Sequence, residues 1–296
     1  MSATIIDGRA VAQRIRDGIA REVEAFISAH GFIPTLGVVL VGDNPASHQY
    51  VRMKRNACER VGIQSKAKIL PGDATQTEVE AAVADLNDDT SVHGILVQLP
   101  LPDQIDEEQI LRAVSLDKDV DGLHPINVGR LAMKGRDPLF TPATPTGCMV
   151  LLEEAGAQLS GAQAVVVGRS NIVGLPMAMM LIKANATVTV VHSRTRDIQA
   201  ILKEADVVVA AIGQPNFIKG AWLKPDAIVI DVGTNRVDAP DTERGYKFVG
   251  DVDFASAVEV ASAITQVPGG VGPMTITSLL QNTLKSARRY ASGEAN

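Results

Sequence analysis

Ala164-Val-Val-Val-Gly-Arg-Ser-Asn-Ile-Val-Gly-Leu-Pro176 is the stretch that decides the fold of this chain. A continuous apolar run ends at Gly168, and a second glycine, Gly174, opens a helical pattern. Apolar residues that run on without alternating mark a strand buried on both faces, as in a parallel sheet covered by helices. The spacing departs from the usual dinucleotide fingerprint, which would put its middle glycine at Ser170 and its last at Val173. The physical requirements survive the shift. Gly168 permits a sharp exit from the strand, Gly174 permits close approach at the helix start, and free amides there can hold a pyrophosphate. A structural turn that binds nothing is the competing reading.

Working outward, Thr187 to His192, Val207 to Ala210 and Ile228 to Val232 read as further strands, with a short helix around Asp197 to Leu202. This repetition is a half-Rossmann pattern. Where an NAD site places an acid to bind the ribose, this chain has His192-Ser-Arg-Thr-Arg196. Ser193 can donate a hydrogen bond and Arg194, Arg196 and Arg169 can pair with a 2′-phosphate, which favours NADP. Taken singly, each arginine of that loop reads as a solvated surface charge.

Upstream, Asp7 is placed to cap a helix from Arg9 to Ile27 with apolar residues at Val11, Ile15, Ile19, Val23 and Phe26. Leu36 to Val41 is a buried strand, followed by the turn Gly42-Asp-Asn-Pro45 and a helix from near Ser47 that Gly62 ends. A short strand near Lys66 to Leu70 precedes a capping box, Thr75 with Glu78, which opens a helix carrying Val79, Val83 and Leu86. The strand His93 to Gln98 is cut off by Pro100 and Pro102. The tract Leu123 to Pro145 marks a transition between domains; helices near Thr146 to Glu154 and about Met274 to Tyr290 complete the reading. The expectation is an α/β chain of two domains with parallel sheets, the second a Rossmann-like nucleotide-binding domain.

Composition agrees. A chain of 296 residues, 46% hydrophobic, can bury two cores. A net charge of -6, from 28 basic and 34 acidic side chains, offers no general attraction to nucleic acid. Cys58 and Cys148 form neither a disulfide framework nor a metal site and read as small buried thiols. With no secretory signal and no apolar stretch long enough to span a membrane, a cytoplasmic protein is expected.

A second group of residues points to a substrate. Tyr50, Lys54, Ala57, Cys58 and Val61 share one helix face, so Lys54 interrupts a stripe that should pack inward. Either it snorkels past the core or pairs with an acid, or it faces a partly dry cleft where desolvation lowers its pKa and permits proton transfer. Tyr50, one turn earlier, is placed to stack on a planar ligand or to hydrogen-bond Lys54. Gln98 ends a strand at the edge where open α/β sheets take ligands, though a polar residue can simply terminate a strand. Asp121, in the turn-rich segment Lys118 to His124, either satisfies turn amides or recognises an amino-substituted heterocycle.

Together these stretches resemble the methylenetetrahydrofolate dehydrogenase/methenyltetrahydrofolate cyclohydrolase family. The resemblance runs through Asp7-Gly8, Tyr50-Val-Arg-Met-Lys54, Gly94 to Pro102, Asp119-Val-Asp-Gly122 and Thr144-Pro-Thr-Gly147. It continues through Gly168-Arg-Ser170 with Gly174, His192-Ser193, Asp231-Val-Gly-Thr234 and Pro268-Gly-Gly-Val-Gly-Pro-Met-Thr275. It implies that Lys54 is the principal catalytic residue, assisted by Tyr50 and Gln98, and that Asp121 holds the pterin. Tyr50, Gln98, Pro268, Gly269 and Gly270 join Asp121 in binding the folate substrate. Gly168, Arg169, Ser170, Gly174, His192, Ser193, Arg194 and Thr234 hold NADP. Leu175 departs from the family pattern, in which a basic residue is common.

The resemblance further implies a folate-binding catalytic domain of residues 1–140 plus 275–296, an NADP domain of residues 141–274, an active cleft between them, and a homodimer. The implied reactions are NADP-dependent oxidation of 5,10-methylenetetrahydrofolate and hydrolysis of the 5,10-methenyl product to 10-formyltetrahydrofolate. An NADP oxidoreductase acting on another small metabolite, or a non-catalytic dinucleotide-responsive protein, would need no Tyr50/Lys54/Gln98/Asp121 group.

Overall fold

A computed structural model describes residues 2–242 and 244–295 of the chain. In chain order the elements are β1 (Thr4–Ile6), α1 (Gly8–His30), β2 (Thr35–Val41), α2 (Pro45–Arg60), β3 (Gln64–Leu70), α3 (Gln76–Asp88), β4 (Gly94–Val97), α4 (Glu107–Ala113), α5 (Pro125–Ala132) and α6 (Ala143–Glu154). They continue with β5 (Gln163–Val167), α7 (Gly174–Lys183), β6 (Thr187–Val191), α8 (Ile198–Leu202), β7 (Val207–Ala210), β8 (Ile228–Asp231), β9 (Asn235–Asp238), β10 (Tyr246–Val249), α9 (Phe254–Ala257), β11 (Ala263–Thr265) and α10 (Val271–Ala291). Two compact units result, one of Met1–Gln13 with Thr144–Thr275, the other of Arg14–Ala143 with Ile276–Asn296.

The first unit is built on a sheet of order β1-β11-β8-β7-β5-β6, parallel throughout. Val165, Val167, Val208, Val229 and Ile264 are buried in its core, as continuous apolar strands require. β6 lies on one side of β5 and β7 on the other, so the winding reverses at the carboxyl end of β5, where Gly168 stands. An antiparallel β9–β10 hairpin stands apart from the parallel pattern.

The expected division moves most at its start, while the other two boundaries shift only from 140 to 143 and from 274 to 275. Residues 1–13 belong to this unit, because β1 pairs in parallel with β11, Thr4 opposite Ala263. A three-residue strand carries no periodicity of its own, and its partner lies near the other end of the chain.

In the second unit β2 is central, flanked in parallel by β3 and β4. Alternate residues face alternate layers. Leu36, Val38, Leu40 and Leu96 pack with Ile19 and Val23 of α1, Cys58 of α2 and Leu279, Leu280 and Leu284 of α10. Val39, Val41, Ile95 and Val97 pack with Val79, Val83 and Leu86 of α3 and Ile110 of α4.

The local signals act as their chemistry dictates. Asp7 Oδ1 accepts the Arg9 and Ala10 amides, Thr75 and Glu78 exchange both bonds of a capping box, and Gly62 leaves α2 at φ +80. α2 starts ahead of Ser47 because Asn44 Oδ1 accepts the Ala46 and Ser47 amides and Pro45 fits the first turn. The expected transition tract contains α5, likewise opened by a proline and capped by His124.

The segment after α4 matters most for the site. Asp119 pairs with Ile95 as an isolated parallel bridge, so the chain runs beside β4 and brings Asp121 level with Val97. Asp119 is buried. Its carboxylate accepts the Leu123 and His124 amides at 3.1 and 2.9 Å and the Asn127 side-chain amide at 2.7 Å. Burial nonetheless pushes its carboxyl up to about 7. Asn127, also buried, accepts the Leu139 amide at 2.8 Å through its other end. Asn282 on α10 donates to the Val120 and Thr141 carbonyls and fixes the same turn from behind.

Asn127→Ala removes a donor from a buried carboxylate and an acceptor from a backbone amide. The expected destabilisation is about 2–4 kcal/mol, read as a lowered urea midpoint with unchanged slope. A loss below about 1 kcal/mol would mean that water replaces the amide and the turn is held elsewhere.

Candidate active site

Lys54 and Gln98 meet because α2 leaves β2 and β4 lies beside β2. The Gln98 amide N–H continues the sheet, donating to Val39 O at 2.8 Å. Its side chain is buried, and Nε2 donates to the Leu99 carbonyl at 2.7 Å. A carbonyl can only accept, so the orientation of the carboxamide is dictated: nitrogen toward Leu99, oxygen toward Lys54. Lys54 Nζ donates to that oxygen at 3.0 Å.

Burial pushes the Lys54 amine below its ordinary value, with Asp121 and then Cys58 opposing the shift. Burial pushes the Asp121 carboxyl up, with Lys54 opposing. The two groups sense each other without a direct ion pair, and desolvation prevails at both. Among the described residues the Asp121 carboxylate accepts no hydrogen bond; the work of holding the turn falls to Asp119, two positions earlier. Tyr50 lies one helical turn before Lys54 and is 41% exposed, with no hydrogen bond to Lys54. Of the two uses expected for its ring, stacking on a planar ligand is the one left open.

At the carboxyl end of β5, Gly168 has φ +123, and a Cβ there would lie 2.1 Å from Ala211 O. A Cβ on Gly174 would lie 2.4 Å from Gly168 O, so both glycines are required by close approach. The amides at the start of α7, however, are not free. Ser170 Oγ accepts the Val173 and Gly174 amides at 3.2 and 3.3 Å, Ser170 O accepts the Leu175 amide at 3.0 Å, and Pro176 has none. The backbone donors without partners among the described residues lie just upstream, in residues 169–172. The donors that an anion could use therefore lie in the loop before the helix rather than in the helix, and the Ser170 hydroxyl proton remains available to donate.

Arg169, Ser193, Arg194 and Arg196 are exposed, and among the described residues the three arginines form no ion pair. The turn that presents Ser193 is pinned by Thr195, whose Oγ1 accepts the His192 amide at 2.9 Å, while His192 Nδ1 accepts the Arg194 amide at 3.2 Å. Half-buried Leu175 lies in the first turn of α7. Thr234 is exposed after β8. Pro268, Gly269 and Gly270 follow β11 in the first unit; a Cβ on Gly270 would lie 2.7 Å from Thr265 Cβ and 2.8 Å from Gln266 O, so packing already accounts for part of that glycine run. A glycine-lined loop with free amides and unpaired guanidinium groups fits a phosphorylated dinucleotide such as NADP.

Residues 6–121 match the catalytic domain of tetrahydrofolate dehydrogenase/cyclohydrolase, and residues 142–291 match its NAD(P)-binding domain. The chain belongs to the tetrahydrofolate dehydrogenase/cyclohydrolase family. It is 57% identical over 288 residues to bifunctional protein FolD 2 of Arabidopsis thaliana, covering 97% of this chain and 96% of that protein. It is 56% identical over 291 residues to bifunctional protein FolD 2 of Geobacter metallireducens, covering 98% and 99% of the two. Among solved structures, the Trypanosoma brucei methylenetetrahydrofolate dehydrogenase-cyclohydrolase, complexed with NADP cofactor and inhibitor, has TM-score 0.95 at 43% identity, covering 98% of each chain. The Campylobacter jejuni FolD enzyme has TM-score 0.90 at 46% identity, covering 97% of this chain and 99% of that one.

Within this family member, reading the sequence brought out Lys54, Gln98 and the glycines. It missed Asp119, Asn127 and Thr195, which touch no expected ligand and hold those that would. The doubled acid of Asp119-Val-Asp121 was their one visible signal.

Gly174→Ala must displace the Gly168–Arg169 backbone. NADPH affinity is expected to fall by roughly tenfold or more in a direct fluorescence titration, with methenyltetrahydrofolate hydrolysis unchanged. Parent affinity in the folded variant would show that the nucleotide does not depend on this loop.

Proposed function

We propose that Lys54 is the proton-transfer residue of this enzyme, that Gln98 orients it, and that Asp121 and Tyr50 hold the substrate's ring system. The chain is a bifunctional NADP-dependent methylenetetrahydrofolate dehydrogenase and methenyltetrahydrofolate cyclohydrolase. The observation that carries the catalytic reading is the 3.0 Å bond from Lys54 Nζ to a Gln98 oxygen that cannot turn away.

In the oxidation, 5,10-methylenetetrahydrofolate loses a hydride and becomes the 5,10-methenyl cation. NADP, when bound, accepts that hydride. The protein's task is to align the reacting carbon and tolerate the positive charge. Desolvation favours the neutral Lys54 amine, which adds no second cation beside the first. The unpaired Asp121 carboxyl is left to bind the amino-substituted pterin, and the exposed Tyr50 ring to stack on it.

In the hydrolysis, water adds to the methenyl carbon and the bridge opens to 10-formyltetrahydrofolate. One Lys54 N–H is committed to Gln98, which fixes where the amine stands; its free-base form is the one that acts. It takes a proton from the attacking water and returns one to the folate nitrogen released as the bridge opens. The adduct's remaining hydroxyl proton passes to solvent as the formyl carbonyl forms, so one H⁺ is released per turnover. Arg169, Ser193, Arg194 and Arg196 are the residues we assign to the 2′-phosphate, with Gly168, Ser170, Gly174, His192 and Thr234 completing the cofactor's surroundings. We assign Pro268, Gly269 and Gly270 to the substrate on the family resemblance.

No helix among the described residues is long and apolar enough to cross a membrane. We further propose a cytoplasmic homodimer. The free, buried thiols Cys58 and Cys148 suit a reducing compartment, and the family resemblance supports the dimer. Light scattering on the eluting protein is expected to give twice the 31.3 kDa chain mass; the chain mass alone would refute the dimer.

Lys54→Gln keeps a long polar side chain that cannot carry a proton. Hydrolysis of supplied methenyltetrahydrofolate is expected to fall by about 10²–10⁴-fold, with a much smaller change in folate affinity measured by direct binding. In the parent, the free-amine fraction grows as pH rises through a pKa depressed below 10.5. Hydrolysis should therefore rise with pH to a midpoint below that value, and the variant should lose this limb. Turnover that falls only as far as affinity would reassign Lys54 to binding.

A further inference from the structure

Two buried carboxylates of the first unit have no part in the chemistry above. Asp231 ends β8 and Asp251 follows β10; both are buried, and among the described residues neither pairs with a cation. Asp251 Oδ2 accepts the Ile212 and Gly213 amides at 2.7 and 3.0 Å. Its Oδ1 accepts the Gln214 amide and the Asn235 side-chain amide, both at 2.9 Å. Asp231 in turn seats Asp251, accepting its amide at 2.9 Å, with the Gly233 amide at 3.0 Å and the Val252 amide at 2.9 Å. Burial, with Asp251 adding to it, pushes the Asp231 carboxyl up to about 7.

Glycines make room for this arrangement. A Cβ on Gly233 would lie 2.3 Å from Asp251 Oδ1, and one on Gly250 would lie 1.8 Å from Asp231 Oδ2. Two desolvated carboxylates met only by N–H groups are costly, and such groups concentrate where a site has to be shaped.

What they shape is the loop leaving β7, the strand beside β5. Ala211 O and the Ile212 side chain lie against Gly168, 2.1 and 3.4 Å from where its Cβ would be. The 211–214 loop is therefore one wall of the turn assigned to the dinucleotide, at the switch point of the sheet. Left alone, a glycine-containing loop with three unmet amides would turn them to solvent or ligand. Asp251 gathers all three to one side.

We propose that Asp251, seated by Asp231, is a positioning residue for NADP binding, fixing the 212–214 loop as a wall of the cofactor site. The inference rests on the assignment of the cofactor to the Gly168 loop, which Gly174→Ala tests separately.

Asp251→Asn tests it. Whichever way the carboxamide turns, its NH₂ faces N–H donors: Ile212 and Gly213 on one side, Gln214 and Asn235 on the other. The wall should loosen without loss of the core. In ligand-free protein, hydrogen exchange at residues 212–214 should accelerate while β7 stays protected. NADPH affinity, titrated directly, should fall roughly tenfold or more. Hydrolysis of methenyltetrahydrofolate, which consumes no NADP, should stay within about twofold of the parent, a difference smaller than one lost hydrogen bond produces. Rapid loop exchange with unchanged NADPH affinity would overturn the proposal, as would hydrolysis falling in step with affinity. Should Asp251→Asn not fold, Asn235→Ala removes a single bond to the same carboxylate. A roughly threefold weaker NADPH complex with parent hydrolysis would then support the proposal, and parent affinity would overturn it.

Discussion

Asp119 and Asp251 are carboxylates removed from water and met by N–H groups, and that demand shapes the loops at the strand ends of both units. Asp119 gathers two backbone amides and the Asn127 side chain. Asp251 gathers three backbone amides and Asn235, and Asp231 holds Asp251 in place. In each case an acid that touches no expected ligand consumes the local donors, and the chain is bent around it. The dependence is plainest at Asp119-Val-Asp121. Because the first acid satisfies the turn, the second is left with an unclaimed carboxyl beside the end of β4.

The Lys54–Gln98 pair obeys the same accounting of donors and acceptors. The Leu99 carbonyl fixes one end of the Gln98 amide, and so fixes what the other end offers the lysine. A strand end and a helix face thereby converge on one polar pair beside a largely apolar core. The dehydrogenase needs this site free of surplus positive charge, and the cyclohydrolase needs a base there. A desolvated amine, its pKa pushed down by burial, is suited to both demands, and on the assignment proposed above one lysine serves two steps.

Local chemistry was legible in the sequence wherever cause and effect lie within a few residues. The Asp7 cap, the Thr75–Glu78 box, the exit at Gly62 and the close approach at Gly174 are all of that kind. The parallel strands were legible because burial on both faces leaves unbroken apolar runs. β1 was not, since its identity as a strand comes from β11. α5 was masked by the proline and glycine content of its tract, although a proline in the first turn is compatible with a helix. At the candidate site, residue types announced Lys54, Gln98 and Asp121. Which of two neighbouring acids was spoken for, and that Ser170 occupies the amides of α7, depended on bonds that no spacing encodes.

The pairing of Thr4 with Ala263 bears on how the chain is made. β1 leaves the ribosome long before the strand it joins, because every other strand of both sheets lies between them in the chain. Until then the opening residues have no edge to add to, while residues 14–143 already contain all three strands of their own sheet. Vectorial synthesis thus presents the three-stranded sheet before the six-stranded sheet can close. A gene cut between residues 143 and 144 would leave the strand β1 on one product and its partner β11 on the other.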